Sequence, residues 1–112
     1  MVDDEAPIRR VISLVMSGMG IDTIEASDAE SALEIVDHED ISLMIVDRRL
    51  PGMDGAQFVR AIRKGTSSDL PVIMISAHGE PAQHSADKFV HKPFDIEDLS
   101  DAVEEVMGKP HK

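Results

Sequence analysis

The chain has 112 residues and a formal charge of −11, which suits one domain with a modest core of its own and works against unspecific binding to nucleic acid. There is no cysteine, no apolar run near the roughly 20 residues of a membrane span, and the start, MVDDEAPIRR, is too acidic for a signal peptide. Disulfides and thiolate metal sites are thereby excluded, no membrane span is expected, and a reducing cytoplasm is the expected location. The surplus acid favours cationic partners, a metal ion or a basic protein patch, unless it serves only to keep a small protein in solution. With three Phe and no Tyr or Trp, the core must be built from Ile, Val, Leu, Met and Ala.

Residues 8–19 carry Ile8, Val11, Ile12, Val15, Met16 and Met19 at helical spacing, and Gly20 is a plausible stop. Residues 21–25 (IDTIE) read as a short strand. Ser27 is the predicted N-cap of the next helix, with Glu30 completing a capping box, and Ala29, Ala32, Leu33 and Val36 form its inner face. Residues 41–46 (ISLMIV) are continuously apolar, as in a strand covered on both faces. After the loop DRRLPGMDG, residues 55–65 read as a helix with Phe58, Val59 and Ile62 inward. Residues 71–75 (PVIMI) form another buried strand and 87–91 (DKFVH) a weaker one. Residues 95–107 place Ile96, Leu99, Val103 and Val106 on one stripe, and GKPHK reads as a frayed tail.

Strands alternating with helices imply an α/β fold with a parallel sheet and right-handed crossovers. In such a sheet, ligands bind beyond the carboxyl ends of the strands. The polar residues just past the apolar runs are Asp3 and Asp4 after MV, Asp47 after ISLMIV, Ser76 after PVIMI, and Lys92 after DKFVH. Each alone has an ordinary reading as a turn former or cap. Together they bring three carboxylates, a hydroxyl and an ammonium to one rim. Clustered carboxylates need a cation, and an all-oxygen set suits Mg²⁺ or a similar hard ion. A metal beside a Lys and a Ser makes a cradle for phosphoryl oxygens, within which an Asp can act as nucleophile and form an aspartyl phosphate.

The segments VDDE at 2–5, IVDRRLPGMDG at 45–55, MISA at 74–77 and FVHKPF at 89–94 resemble, in order and over nearly the whole chain, the receiver domain of bacterial two-component response regulators, with its CheY-like fold. The resemblance implies a flavodoxin-like, doubly wound, five-stranded parallel sheet, with residues 1–108 as receiver domain and 109–112 as tail. It implies that Asp47 accepts a phosphoryl group from a phosphohistidine on a sensor histidine kinase or histidine phosphotransfer protein. Mg²⁺ (or Mn²⁺) would be held by Asp4 directly, Asp3 through water, Asp47 and the backbone carbonyl of Arg49. Lys92 would pair with the phosphoryl oxygens, and Ser76 would swing in to donate a hydrogen bond. Phe89 occupies the position of the family's switch aromatic, although an ordinary core aromatic is an equal reading, and Ala77 leaves room for the phosphate. Arg49 and His78, each two residues past a strand-end site residue, are expected to tune the lifetime of the phosphorylated state unless they are solvated loop residues.

Two departures stand out. Only Met1 and Val2 precede Asp3, so the first strand is expected to be truncated, and Met1 is expected to be an internal residue of a longer chain or a cut or misassigned start. Ser76 and Lys92 are 16 positions apart, about six residues short of the usual spacing and more than one helical turn. The fourth helix should therefore be a stub or irregular loop, which puts the family's usual dimer face in doubt. The expected function is a phosphorylation-controlled protein-interaction switch with an unknown downstream protein target. It is not a turnover enzyme and binds neither nucleic acid nor membrane directly. Two other readings stand beside it. One is a degenerate receiver acting as a binding module. The other is a Mg²⁺-dependent phosphohydrolase with an aspartyl-phosphate intermediate, although Arg48 and Arg49 follow Asp47 where such enzymes need a general acid.

Overall fold

The computed structural model describes residues 1–65, 69–77 and 85–107. Its elements in chain order are α1 (Ala6–Gly18), α2 (Ala29–His38), β1 (Met44–Asp47), β2 (Arg49–Leu50), β3 (Met53–Asp54), α3 (Gly55–Arg63), β4 (Val72–Ser76), β5 (Lys88–His91) and α4 (Ile96–Met107). β1, β4 and β5 form a parallel sheet in that order, with Met44 opposite Val72 and Ile73 opposite Lys88. Val2 extends it through single parallel bridges to Val46 on one side and Ala26 on the other. The lateral order is therefore Ala26, Val2, β1, β4, β5, the doubly wound arrangement expected of the sequence.

Alternation along the strands sends side chains to two cores. Met44, Val46, Val72 and Met74 pack with α2 and α3, where Phe58, Val59 and Ile62 are buried as predicted. Ile45, Ile73, Ile75 and Val90 pack with α1 and α4. Covering on both faces is what made these strands read as unbroken apolar runs.

Several expectations are corrected. Residues 21–25 are not a strand: only Ala26 bridges, because the neighbour they need is the short Met1–Asp3 segment. β1 starts at Met44 rather than 41, where β4 becomes available and the Met44 N–H donates to the Pro71 carbonyl at 2.9 Å. The N-cap of α2 is Asp28, not Ser27; its carboxylate accepts the Ser31 N–H at 2.7 Å, which holds the carboxyl below its ordinary pKa. α1 begins two residues early, with Pro7 in its first turn, where a missing N–H is harmless. Gly20, just past the helix, takes φ +79°, a conformation other residues resist. Val11 is 47 % exposed and Ile96 65 % exposed, so neither belongs to the inner stripe of its helix. The expected fourth-helix stub falls mostly on 78–84, outside the described residues, as does the tail at 109–112.

Ahead of Val2, the sheet is open at the end opposite the strand carboxyl termini. A cleft of about 420 Å³ lies between residues 21–24 and 43–45, lined by Met1, Val2, Ile24, Ile35, Leu43 and Ile45 among others. Buried Thr23 Oγ1 beside it has no hydrogen-bond partner among the described residues. An added stretch of four or five apolar residues ahead of Met1 would continue the bridging pattern into this cleft. Each apolar side chain so buried contributes roughly 1.5–3 kcal/mol against about 1–2 kcal/mol of backbone ordering. The extended chain is expected to melt at least ~5 °C higher. An unchanged melting temperature would show that the cleft does not accept a strand.

Candidate functional site

The carboxyl ends of the parallel segments gather the predicted residues on one rim. Val2 fixes Asp3: the Val2 N–H donates to Ile45 O at 2.8 Å, the Asp47 N–H to Val2 O at 2.9 Å, and the Asp3 N–H to Ala26 O at 3.1 Å. Asp3 is fully buried, Asp47 is 6 % exposed, and Ser76 is fully buried at the end of β4. The Lys92 N–H donates to Ser76 O at 2.8 Å, which seats the residue after β5 beside β4. The following Lys92–Pro93 peptide is cis.

Lys92 is the centre of the cluster. Its ammonium donates to Asp3 Oδ2 and Asp47 Oδ2, each at 3.1 Å, and reaches Glu5 Oε1 at 3.4 Å. Burial works against the charge, but Asp3 and then Asp47 more than offset it, so the pKa of Lys92 is raised and the group stays protonated. Asp3 is pushed up to about 6, chiefly by burial and further by the charge of Asp47, against the opposing Glu5 N–H (2.9 Å to Oδ1) and Lys92. The folded chain thus binds this proton more tightly than the unfolded chain, whose ordinary value is 3.8. Stability held below the unfolded value is lost as pH rises through about 6, unless a cation compensates.

Carboxylate oxygens of Asp3, Asp4, Glu5 and Asp47 all lie within 4.8 Å of one another. Four carboxylates facing one ammonium form an acidic, all-oxygen set, and its chemistry fits a hard divalent cation. Asp4 is exposed, so it can meet a metal that keeps part of its water shell. The Arg49 N–H donates to Asp47 Oδ1 at 3.3 Å, while its side chain is exposed. β2 and β3 fold the loop after Asp47 into a small antiparallel hairpin, with Arg49 opposite Asp54. Asp54 caps α3 in a reciprocal box with Gln57.

Phe89 is half-buried against the α2–α3 core and meets His91 edge-on, with centroids 6.4 Å apart and planes at 68°. His78 lies outside the described residues. Glu5 went unread in the sequence; the signal was a third acid in the run Asp3–Asp4–Glu5, at the turn into α1.

The match to known proteins follows this geometry. Residues 1–104 match the family model described as response regulator receiver domain. The chain belongs to that family. The receiver is 33 % identical over 116 residues to the phosphate regulon transcriptional regulatory protein PhoB of Escherichia coli K12, covering 97 % of this chain and 51 % of that protein. It is 36 % identical over 118 residues to the probable transcriptional regulator ycf27 of Porphyra purpurea, covering 100 % of this chain and 48 % of that protein. The chain spans about half the length of these curated relatives. Among solved structures, it superposes on a putative response regulator from Chloroflexus aurantiacus J-10-fl with TM-score 0.87 and 27 % identity, covering 96 % of this chain and 94 % of that one. The chemotaxis response regulator CheY4 of Vibrio cholerae gives TM-score 0.86 and 27 % identity, covering 94 % and 93 %. The receiver therefore has the CheY-like fold. Among its described residues, no helix is long and apolar enough to cross a membrane.

Proposed function

We propose that Asp47 is the phosphoacceptor of this receiver, and that it takes the phosphoryl group from a phosphohistidine on a sensor histidine kinase or histidine phosphotransfer protein. The observation that carries the reading is the single ammonium of Lys92 held between the buried carboxylates of Asp3 and Asp47. An Asp47 carboxylate oxygen attacks phosphorus in line. The P–N bond breaks, its electron pair goes to the departing imidazole, and Lys92 stabilises charge on the transferred oxygens. Asp4, Asp47 and the Arg49 carbonyl, with Asp3 through water, would hold Mg²⁺, which would supply charge neutralisation. Ser76 donates to the phosphoryl group, and Phe89 turns with the rearranged strand ends, which changes the surface a downstream protein reads. Arg49 and His78 set water access and hence the lifetime of the acyl phosphate. The receiver acts in the cytoplasm, as a switch rather than a turnover enzyme.

The test is incubation with Mg²⁺ and acetyl phosphate, or the beryllofluoride mimic, followed by mass spectrometry and NMR. A slowly decaying adduct on Asp47, absent from Asp47→Asn, is the expected result. No adduct would favour a binding module, and rapid multiple turnover a phosphohydrolase. Because Asp3 titrates near 6, protons compete with the metal. Mg²⁺ affinity is expected to be level above pH 7 and to fall below about 6, approaching tenfold per pH unit. A profile that stays flat to pH 5 in calorimetric titration would remove Asp3 from the metal site.

A further inference from the structure

Lys92 has three ammonium protons and three carboxylate oxygens within reach, from Asp3, Asp47 and Glu5. The phosphoryl group of an incoming donor brings strong acceptors of its own while Asp47 is still a carboxylate, so Lys92 must release a partner to bind it before transfer. The three partners are unequal. Asp3 and Asp47 are buried, and stripping the cation from either leaves a carboxylate that water reaches poorly. The Glu5 side chain is 60 % exposed and makes the longest of the three contacts, at 3.4 Å, so water can take its place at small cost.

The local structure leaves Glu5 available for this. Its backbone is fixed, because its N–H donates to Asp3 Oδ1 at 2.9 Å. It stands at the N-cap of α1, yet its side chain makes no capping hydrogen bond. That position favours the short side chains of Ser, Thr, Asp or Asn, which bond back to the first turn. Here the longer side chain extends across to Lys92.

We propose that Glu5 is a positioning residue, the exchangeable partner of Lys92, which holds the ammonium at the rim in the unmodified receiver and yields it to the phosphoryl group. The proposal rests on Asp47 being the phosphoacceptor. Until it yields, the Glu5 carboxylate competes with the incoming donor for Lys92 and repels a dianion more than a monoanion.

The test compares the unsubstituted chain, Glu5→Gln and Glu5→Asp at saturating Mg²⁺, with acetyl phosphate (a dianion at neutral pH) and phosphoramidate (largely monoanionic) as donors. Glu5→Gln should raise the rate constant for modification of Asp47 by acetyl phosphate about three- to fivefold, as expected for loss of one exposed ion pair. The gain with phosphoramidate should be smaller, and Glu5→Asp, which keeps the charge but is too short to reach Lys92, should show a smaller gain than Glu5→Gln. Unchanged rates in Glu5→Gln, or equal gains with both donors, would overturn the role of Glu5 while leaving Asp47 in place. Absence of an adduct on the unsubstituted chain would overturn both readings.

Discussion

Lys92→Met is expected to lower the melting temperature by on the order of 12 °C at pH 8, to lower it much less at pH 5, and to reduce modification of Asp47 at least ~100-fold. Methionine keeps the length of the side-chain stem, so the loss reports the charge and not a cavity. Lys92 is the ammonium between Asp3 and Asp47, and both carboxylates are shielded from water. Removing one partner of a buried ionic cluster costs about 3 kcal/mol or more. Asp3 already sits near 6 with Lys92 present, because burial and Asp47 outweigh the cation. Without Lys92 its pKa rises further, so at pH 5 it carries a proton and the repulsion disappears. At pH 8 the folded chain must hold two bare carboxylates that the unfolded chain ionises freely, so the penalty grows with pH. Mg²⁺ at pH 8 should restore part of the lost stability by supplying the missing positive charge. Melting curves at both pH values, with and without Mg²⁺, measure this. Equal losses at pH 5 and pH 8 would show that Lys92 acts through packing and not through Asp3 and Asp47.

What the sequence made legible, and what it hid, divides along the range of the forces involved. Asp47 and Lys92 could be found because each ends an apolar run, and strand ends of a parallel sheet converge whatever their separation in the chain. The inward faces of α2 and α3 were legible from helical spacing. Residues 21–25 were not, since a strand exists only where its neighbour does, and the neighbour here is the Met1–Asp3 segment, which bridges at Val2 alone. Ser27 and Asp28 are both good caps, and only the entry angle of the chain selects Asp28. Val11 and Ile96 have the right spacing for an inner stripe but lie outside the strip their helices bury. Glu5 was hidden for a different reason. Its contact with Lys92 spans 87 positions and depends on where α1 begins, which its local sequence does not display.

Gly55→Ala should damage the site through the backbone alone, without replacing any residue that bears charge. Gly55 opens α3 directly beneath the loop that carries Asp47, and its N–H donates to the Arg48 carbonyl. A methyl group there would fall on the Asp47 carbonyl oxygen, 2.8 Å from Arg48 Cα and 3.0 Å from Arg48 O. All three are main-chain atoms held on one side by β4, through the Arg48 N–H to Ile75 O bond at 2.8 Å. Nothing flexible can give way, so either α3 or the Asp47–Arg49 segment must move. The overpacking is expected to cost about 3 kcal/mol. The consequence for function follows from which side yields. α3 is anchored by fully buried Phe58 and Val59, whereas the loop ends in a two-residue hairpin with an exposed Arg49. The loop is the softer side, and its movement displaces the Asp47 carboxylate and the Arg49 carbonyl from Asp3. Mg²⁺ affinity should therefore fall at least ~10-fold in whatever folded protein remains, as a displaced ligand set requires. Calorimetric titration below the variant's melting transition separates the two effects. A destabilised Gly55→Ala chain with full Mg²⁺ affinity would mean that α3 yields and that the loop, not the helix, is the fixed part of this site.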